Sequence, residues 1–206
     1  PQSKEDSDLF NRFHLKGYKF VQPWDALVYH FTSRGSRFNK HSGGAAGKNS
    51  DEWIQTTTKN GRNFIRKWGH FIKHDLLMKP IVPPKYNIGL IIKNCNSSLL
   101  HALEPWGDTI YVDQGNIPTL IKKYIEEEQS NTIIDLNKRV LPFDNEKQNE
   151  ILVEIDGKTF SEEDWKILMQ LPEIIKDSGS IGRFQLNNIK VEIIQMNECQ
   201  NDLINI

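Results

Sequence analysis

Ile88-Gly89-Leu90-Ile91-Ile92, then Ser97-Ser98-Leu99-Leu100-His101-Ala102-Leu103, then Thr109-Ile110-Tyr111-Val112 decide the fold class. A short apolar run, an amphipathic stretch and a second apolar run predict strand, helix, strand. The alternation continues towards the C-terminus. Pro118 to Glu128 reads as a helix with proline in its first turn, and Thr132 to Leu136 as a further strand. Ile151 to Ile155 is a strand ending in the turn signal Asp156-Gly157. Ser161-Glu162-Glu163-Asp164 resembles a capping box opening a helix to about Lys176, with Pro172 as a kink. Phe184 to Leu186 and Ile189 to Ile194 make a hairpin through Asn187-Asn188, and the tail from Asn197 is polar. The expected class is α/β, as a small layered module.

Upstream, Pro80, Pro83 and Pro84 form a stiff linker, and the charge balance flips there. Residues 1–84 carry 14 Lys and Arg against 7 Asp and Glu, whereas residues 85–206 carry 12 against 20. Two modules are therefore expected, 1–84 and 85–206, with an anionic ligand on the first. Within 1–84 the pattern predicts a helix from Glu5 to Lys16 closed by Gly17, and strands at Tyr18 to Val21 and Ala26 to Phe31. Thr32 to Ser50 is a Gly- and Ser-rich loop carrying Arg34, Arg37, Lys40 and Lys48. Asp51 caps a helix to about Ile72, with Gly61 as an interruption and Arg62, Arg66 and Lys67 as its solvent face.

The chain has 206 residues, 37% hydrophobic and 26% charged, which suits an ordinary globular protein. No apolar run approaches the ~18 residues of a transmembrane helix. Pro1 to Asp6 holds no initiator Met and no signal-peptide core, so the sequence reads as a segment of a longer chain. Cys95 and Cys199 have no metal-type spacing and suit a reducing, cytoplasmic setting as structural residues.

The chemistry-bearing run is Glu5-Asp6-Ser7-Asp8-Leu9-Phe10-Asn11-Arg12, then Lys16-Gly17-Tyr18-Lys19-Phe20, then Val28-Tyr29-His30. Carboxylates at a helix N-terminus meet free N–H groups and the positive end of the dipole. One such carboxylate can accept the proton of an attacking hydroxyl; the same residues would equally serve as caps. Taken as an ordered set, this run resembles the end of the catalytic domain in family 2 glycosyltransferases of the GT-A fold. There an acidic pair, an Asp-Leu, an Arg and a Gly-Tyr lead into a strand ending in His.

The resemblance covers residues 5 to about 38 well and the following helix more loosely. It implies the C-terminal end of a GT-A catalytic domain followed by a small α/β module. It also implies inverting transfer of a sugar from a nucleotide-sugar donor to a hydroxyl of a glycan or other acceptor. Asp6 takes the place of the general base, with Glu5 contacting the acceptor or supporting the base, and Asp8 and Arg12 structural. His30 matches a residue of the metal or diphosphate site, or is a hydrogen-bonded strand end. Arg34, Ser36 and Arg37 suit a diphosphate leaving group, on a loop that could close over the donor. Trp24, at the Gln22-Pro23-Trp24-Asp25 turn, is the candidate platform for the acceptor sugar, while Trp53 and Trp68 suit the core. The divalent metal, Mn2+ or Mg2+, would be shared with a nucleotide-binding half expected upstream, without which these residues should turn over little.

Residues 85–206 carry no such motif. Asp108, Asp113 and Asp135 lack Asp-X-Asp spacing, no Gly-rich strand-to-helix turn is present, and Leu103-Glu104-Pro105-Trp106 reads as a helix stop. This part could bind an acceptor, pack on the catalytic domain or mediate assembly into an oligomer. The alternative function is thus a non-catalytic binding or assembly module with a degenerate transferase end. A nucleic-acid partner is disfavoured, because the aromatic residues are not interleaved with the basic loop.

Overall fold

The computed structural model describes residues 4–21, 23–27, 49–115, 117 and 119–205. By its contacts the chain divides into two compact units, Pro1–Arg62 with Ile72–Val82, and Asn63–Phe71 with Pro83–Ile206.

In the first unit α1 spans Glu5–Leu15 with Glu5, Asp6 and Asp8 in its first turn. It stops as the sequence predicts. Gly17 takes a left-handed φ of 76°, its N–H donates to His14 O at 2.9 Å, and Tyr18 N donates to Phe13 O at 3.0 Å. These two bonds make a Schellman ending, and the apolar contact that accompanies it is the Phe13–Tyr18 ring pair at 5.3 Å. Residues 18–21 then run without regular structure, so the strand expected at Tyr18 to Val21 does not form. Phe20 instead packs edge-on against Phe10 at 5.8 Å. Helix α2, Asp51–Trp68, is uninterrupted at Gly61 and stops short of Ile72. Its last residues, from Asn63, belong to the second unit.

The second unit is built on a six-stranded mixed sheet in the order β3-β2-β1-β4-β6-β5. The strands are β1 Ile88–Lys93, β2 Thr109–Val112, β3 Val140–Pro142, β4 Ile151–Asp156, β5 Gly182–Leu186 and β6 Ile189–Ile193. β1 lies between parallel neighbours β2 and β4, β3 adds parallel to β2, and the β5–β6 hairpin closes the other side antiparallel. The helices are α3 Ser97–Leu103, α4 Leu120–Glu128, α5 Leu136–Arg139, α6 Glu162–Met169 and α7 Leu171–Ser178.

Alternate residues of each strand point one way. Ile88, Leu90 and Ile92 share a core with Ile110, Val112, Ile151, Val153, Ile155, Val191 and Ile193, and with Leu100, Leu103, Tyr124, Leu168 and Ile175 of the helices. Each fully buried Leu or Ile contributes about 1.5–3 kcal/mol before its entropy cost. The opposite sheet face carries ions in register. Glu154 pairs with Lys93 at 2.8 Å and Lys190 at 3.0 Å, and Arg183 pairs with Glu192 at 2.9 Å. Gly89 lies on that face because Asn149 crosses it: a Cβ there would stand 2.5 Å from Asn149 Oδ1.

In the second unit two expected elements take another form. Thr132 to Leu136 is not a strand. Gln129 Nε2 donates to Thr132 O at 3.3 Å and Ile134 O at 2.8 Å, and its Oε1 accepts from Leu136 N at 2.9 Å, which holds the backbone as a turn into α5. Residues Leu141 and Pro142 pair in the sheet instead. The helix expected from Ser161 to Lys176 is two helices broken at Gln170, because Pro172 cannot donate within a continuing helix and suits the first turn of a new one.

Candidate functional site

The acid cluster of α1 is sorted by its partners. Asp8 Oδ2 lies 3.2 Å from Arg12 Nε one helical turn on, and Glu5 Oε2 accepts from Lys4 N at 2.7 Å. Asp6 is exposed and has neither hydrogen bond nor ion pair among the described residues. Of the three first-turn acids it is the one presented unengaged to solvent at the positive end of the helix. Trp24 is 95% exposed, an aromatic face open to a ligand. His30, Arg34, Ser36 and Arg37 lie outside the described residues. Among the described residues no group of three or more His, Cys, Asp and Glu could hold a metal ion.

The second unit holds a buried polar cluster that the sequence reading missed. Leu103 to Trp106 does end a helix, but Glu104 is fully buried and acts as a hub. Its carboxylate accepts from Arg66 Nη2 at 2.6 Å, Arg139 Nε at 2.6 Å and Tyr124 Oη at 2.9 Å. Arg66 reaches on to Glu128 at 2.7 Å and Asn63 Oδ1 at 2.9 Å. Arg66 is therefore not on a solvent face, contrary to its placement from the helix pattern. Burial pushes the Glu104 carboxyl up, but the Arg66 and Arg139 bonds and charges prevail and hold it below the usual carboxylate range. Burial likewise opposes the Arg66 charge, and Glu104 and Glu128 more than restore it. With every partner satisfied, the cluster is a structural clasp joining the end of α2 to the segments after β1 and α4. A charged residue inside Leu103-Glu104-Pro105-Trp106 was the available signal.

Asp164 is a second saturated carboxylate. It accepts from Ser161 N at 2.8 Å and Ser161 Oγ at 2.7 Å, completing the capping box predicted for α6. It also accepts from Asn187 Nδ2 at 2.8 Å, Asn188 N at 3.0 Å and Asn188 Nδ2 at 3.0 Å. It thereby ties the helix start to the β5–β6 turn, where Asn187 takes a φ of 51°. Burial raises its pKa, and the Asn188 and Ser161 donors overcome that and lower it far below the usual value.

In open α/β sheets, ligands usually enter beyond the carboxyl ends of the parallel strands. Here that position, after β1 and β4, is filled by the chain itself. Asn94 Nδ2 donates to Asp156 Oδ1 at 2.8 Å, and Gly157 N to Lys93 O at 2.9 Å. A Cβ on Gly157 would stand 2.6 Å from Asn94 O. Cys95 beside it is buried, and burial pushes its thiol up to about 12, so it is an unreactive thiol at neutral pH. A cavity of about 430 Å³ lies instead on the charged sheet face, lined by Ile91, Leu152, Glu154, Arg183, Lys190 and Glu192 among others. No helix among the described residues is long and apolar enough to cross a membrane.

No family model, no curated protein and no solved structure matches the chain.

Proposed function

We propose that residues 1–84 are the acceptor-side end of an inverting GT-A-type glycosyltransferase and that Asp6 is its general base. The observation that carries this reading is the sorting of the first-turn acids. Asp8 is held by Arg12 and Glu5 accepts from Lys4 N, while Asp6, exposed like Glu5, has neither hydrogen bond nor ion pair among the described residues. In the proposed reaction the Asp6 carboxylate takes the proton of an acceptor hydroxyl as its oxygen bonds to the anomeric carbon of the donor sugar. The bond from that carbon to the nucleotide diphosphate breaks on the opposite side, and its electron pair leaves with the diphosphate. Arg34, Ser36 and Arg37 would stabilise the departing charge, Trp24 would stack on the acceptor sugar, and His30 with a divalent metal would serve the donor side. The nucleotide itself would be held by another half of the catalytic domain. Residues 85–206 would be an accessory module.

The direct chemical test is the anomeric configuration of the product, followed by NMR on the protein carrying its nucleotide-binding half. Inversion relative to the donor is expected, because one carboxylate acting as base supports a single displacement. Retention would remove the reading.

A second reading, a binding or assembly module, is favoured by the charged cavity on the open sheet face of the second unit. Stoichiometric glycan or protein binding without metal-dependent nucleotide binding would select it.

A further inference from the structure

The two edges of the sheet differ in how they are closed. β3 is three residues long and ends in Pro142, whose nitrogen carries no donor. β5 is five residues long, contains no proline, and has a neighbour on one side only. Ile194 N donates to Glu150 O at 2.8 Å, which turns the even-numbered residues along β6 towards β4. Ile189, Val191 and Ile193 therefore bond towards β5, and their partners Leu186, Phe184 and Gly182 bond towards β6. The N–H and C=O groups of Arg183 and Gln185 point the other way, off the edge, with no partner among the described residues.

A row of backbone donors and acceptors at this spacing is matched by an extended strand. The two sheet faces beside it set what side chains that strand carries. On the helix side Phe184 and Leu186 border an apolar groove with Ile174 and Ile175 of α7. On the other side lie Arg183, Gln185, Lys190 and Glu192. The incoming strand must therefore alternate polar and apolar residues. Arg183-Phe184-Gln185-Leu186 itself has that alternation. Its single charge is no barrier, because Arg183 is paired with Glu192 at 2.9 Å.

We propose that β5 pairs antiparallel with β5 of a second copy of the chain, about a two-fold axis between the two Phe184 residues. Ladder bonds are exchanged only between outward-facing residues, which limits the register. Centring the pair on Arg183 would set two arginines directly opposite one another. Centring it on Gln185 would set Arg183 against Asn187, which has left the strand with a φ of 51°. Centring it on Phe184 sets Arg183 against Gln185 on both sides of the axis, and each such pair exchanges both backbone bonds. The two Phe184 side chains then form the closer, non-hydrogen-bonded pair beside the apolar groove. One strand pair is a small interface, so the dimer is reversible. It belongs to the second unit and holds whether or not Asp6 is a base.

The test is sedimentation of the intact protein from roughly 10 μM to 1 mM, with amide hydrogen exchange read in parallel. The mass is expected to rise towards that of two chains. The Arg183 and Gln185 amides should exchange about fivefold or more slowly at the highest concentration than at the lowest. Gln185→Glu sets a carboxylate opposite the partner's Arg183 and should tighten the dimer about threefold or more. Gln185→Arg sets like charges opposite one another and should weaken it about fivefold or more. Gln185 is exposed, so both variants keep the fold. A monomer throughout the range, or a dimer in which the two amides still exchange at the monomer rate, would overturn the proposal. So would a dimer equally tight in the parent and both variants, which would place the second copy on another surface.

Discussion

Arg66 Nη2 lies 2.6 Å from Glu104 Oε2 with both side chains wholly excluded from solvent. The pair joins the last turns of α2 to the segment between β1 and β2, far apart in the sequence. Neither charge could be buried alone at tolerable cost.

Arg66→Met should therefore destabilise the second unit by about 3–5 kcal/mol, because Glu104 and Glu128 both lose the buried arginine they share. Urea unfolding monitored by circular dichroism reads this directly. A loss under about 1 kcal/mol would mean that the cluster is hydrated in solution.

Stability should fall in acid. Glu104, Glu154 and Asp164 are all held below their ordinary values in the folded chain. Each contributes fully above the ordinary carboxylate range. That contribution shrinks as pH falls through the range towards the lower native value, since the unfolded chain then binds more protons. Melting temperatures should thus be level near neutrality and drop steadily below about pH 4.5. A melting temperature that rises on acidification would contradict this sign.

Asp164→Ala removes the Asp164 half of the α6 capping box, the bonds from Ser161 N and Oγ, and leaves the Asn187 and Asn188 donors without this acceptor. A cost of roughly 2–4 kcal/mol is expected from the cap and the orphaned donors together. Hydrogen exchange should show the loss concentrated in the β5–β6 turn and the first turn of α6.

Gly157→Ala places a methyl carbon 2.6 Å from Asn94 O, a backbone atom that cannot swing aside. The β1 and β4 ends would have to separate, at about 1–3 kcal/mol. The same substitution at Gly115, with nothing within 4 Å of its Cβ, meets no neighbour and leaves only the strain of its φ of 47°.

How legible these features were follows from how local their causes are. The β1, β2 and β4 runs and the β5–β6 hairpin were readable because burial writes its period into adjacent residues. The α1 stop at Gly17 and the Ser161–Asp164 box were readable because caps are decided within a few residues. Thr132 to Leu136 misled because its apolar Ile133 and Ile134 fit a strand, while Gln129 decides the turn from outside the window. Tyr18 to Val21 misled similarly, with Phe20 serving a ring contact to Phe10. Arg66 and Glu104 were opaque because their burial depends on each other across the fold. At the candidate site the sequence could name Glu5, Asp6 and Asp8 together. It could not tell which one the Asp8–Arg12 pair and the Glu5 contact would leave unengaged among the described residues.

The most direct measurement compares Asp6→Asn with Asp8→Asn in the protein carrying the proposed nucleotide-binding half, reading turnover and donor binding in parallel. Asp6→Asn is predicted to cut turnover by roughly 10²–10⁴-fold with donor affinity unchanged, and Asp8→Asn to cost far less. Near-normal turnover in Asp6→Asn, or equal losses in the two variants, would contradict Asp6 as the base.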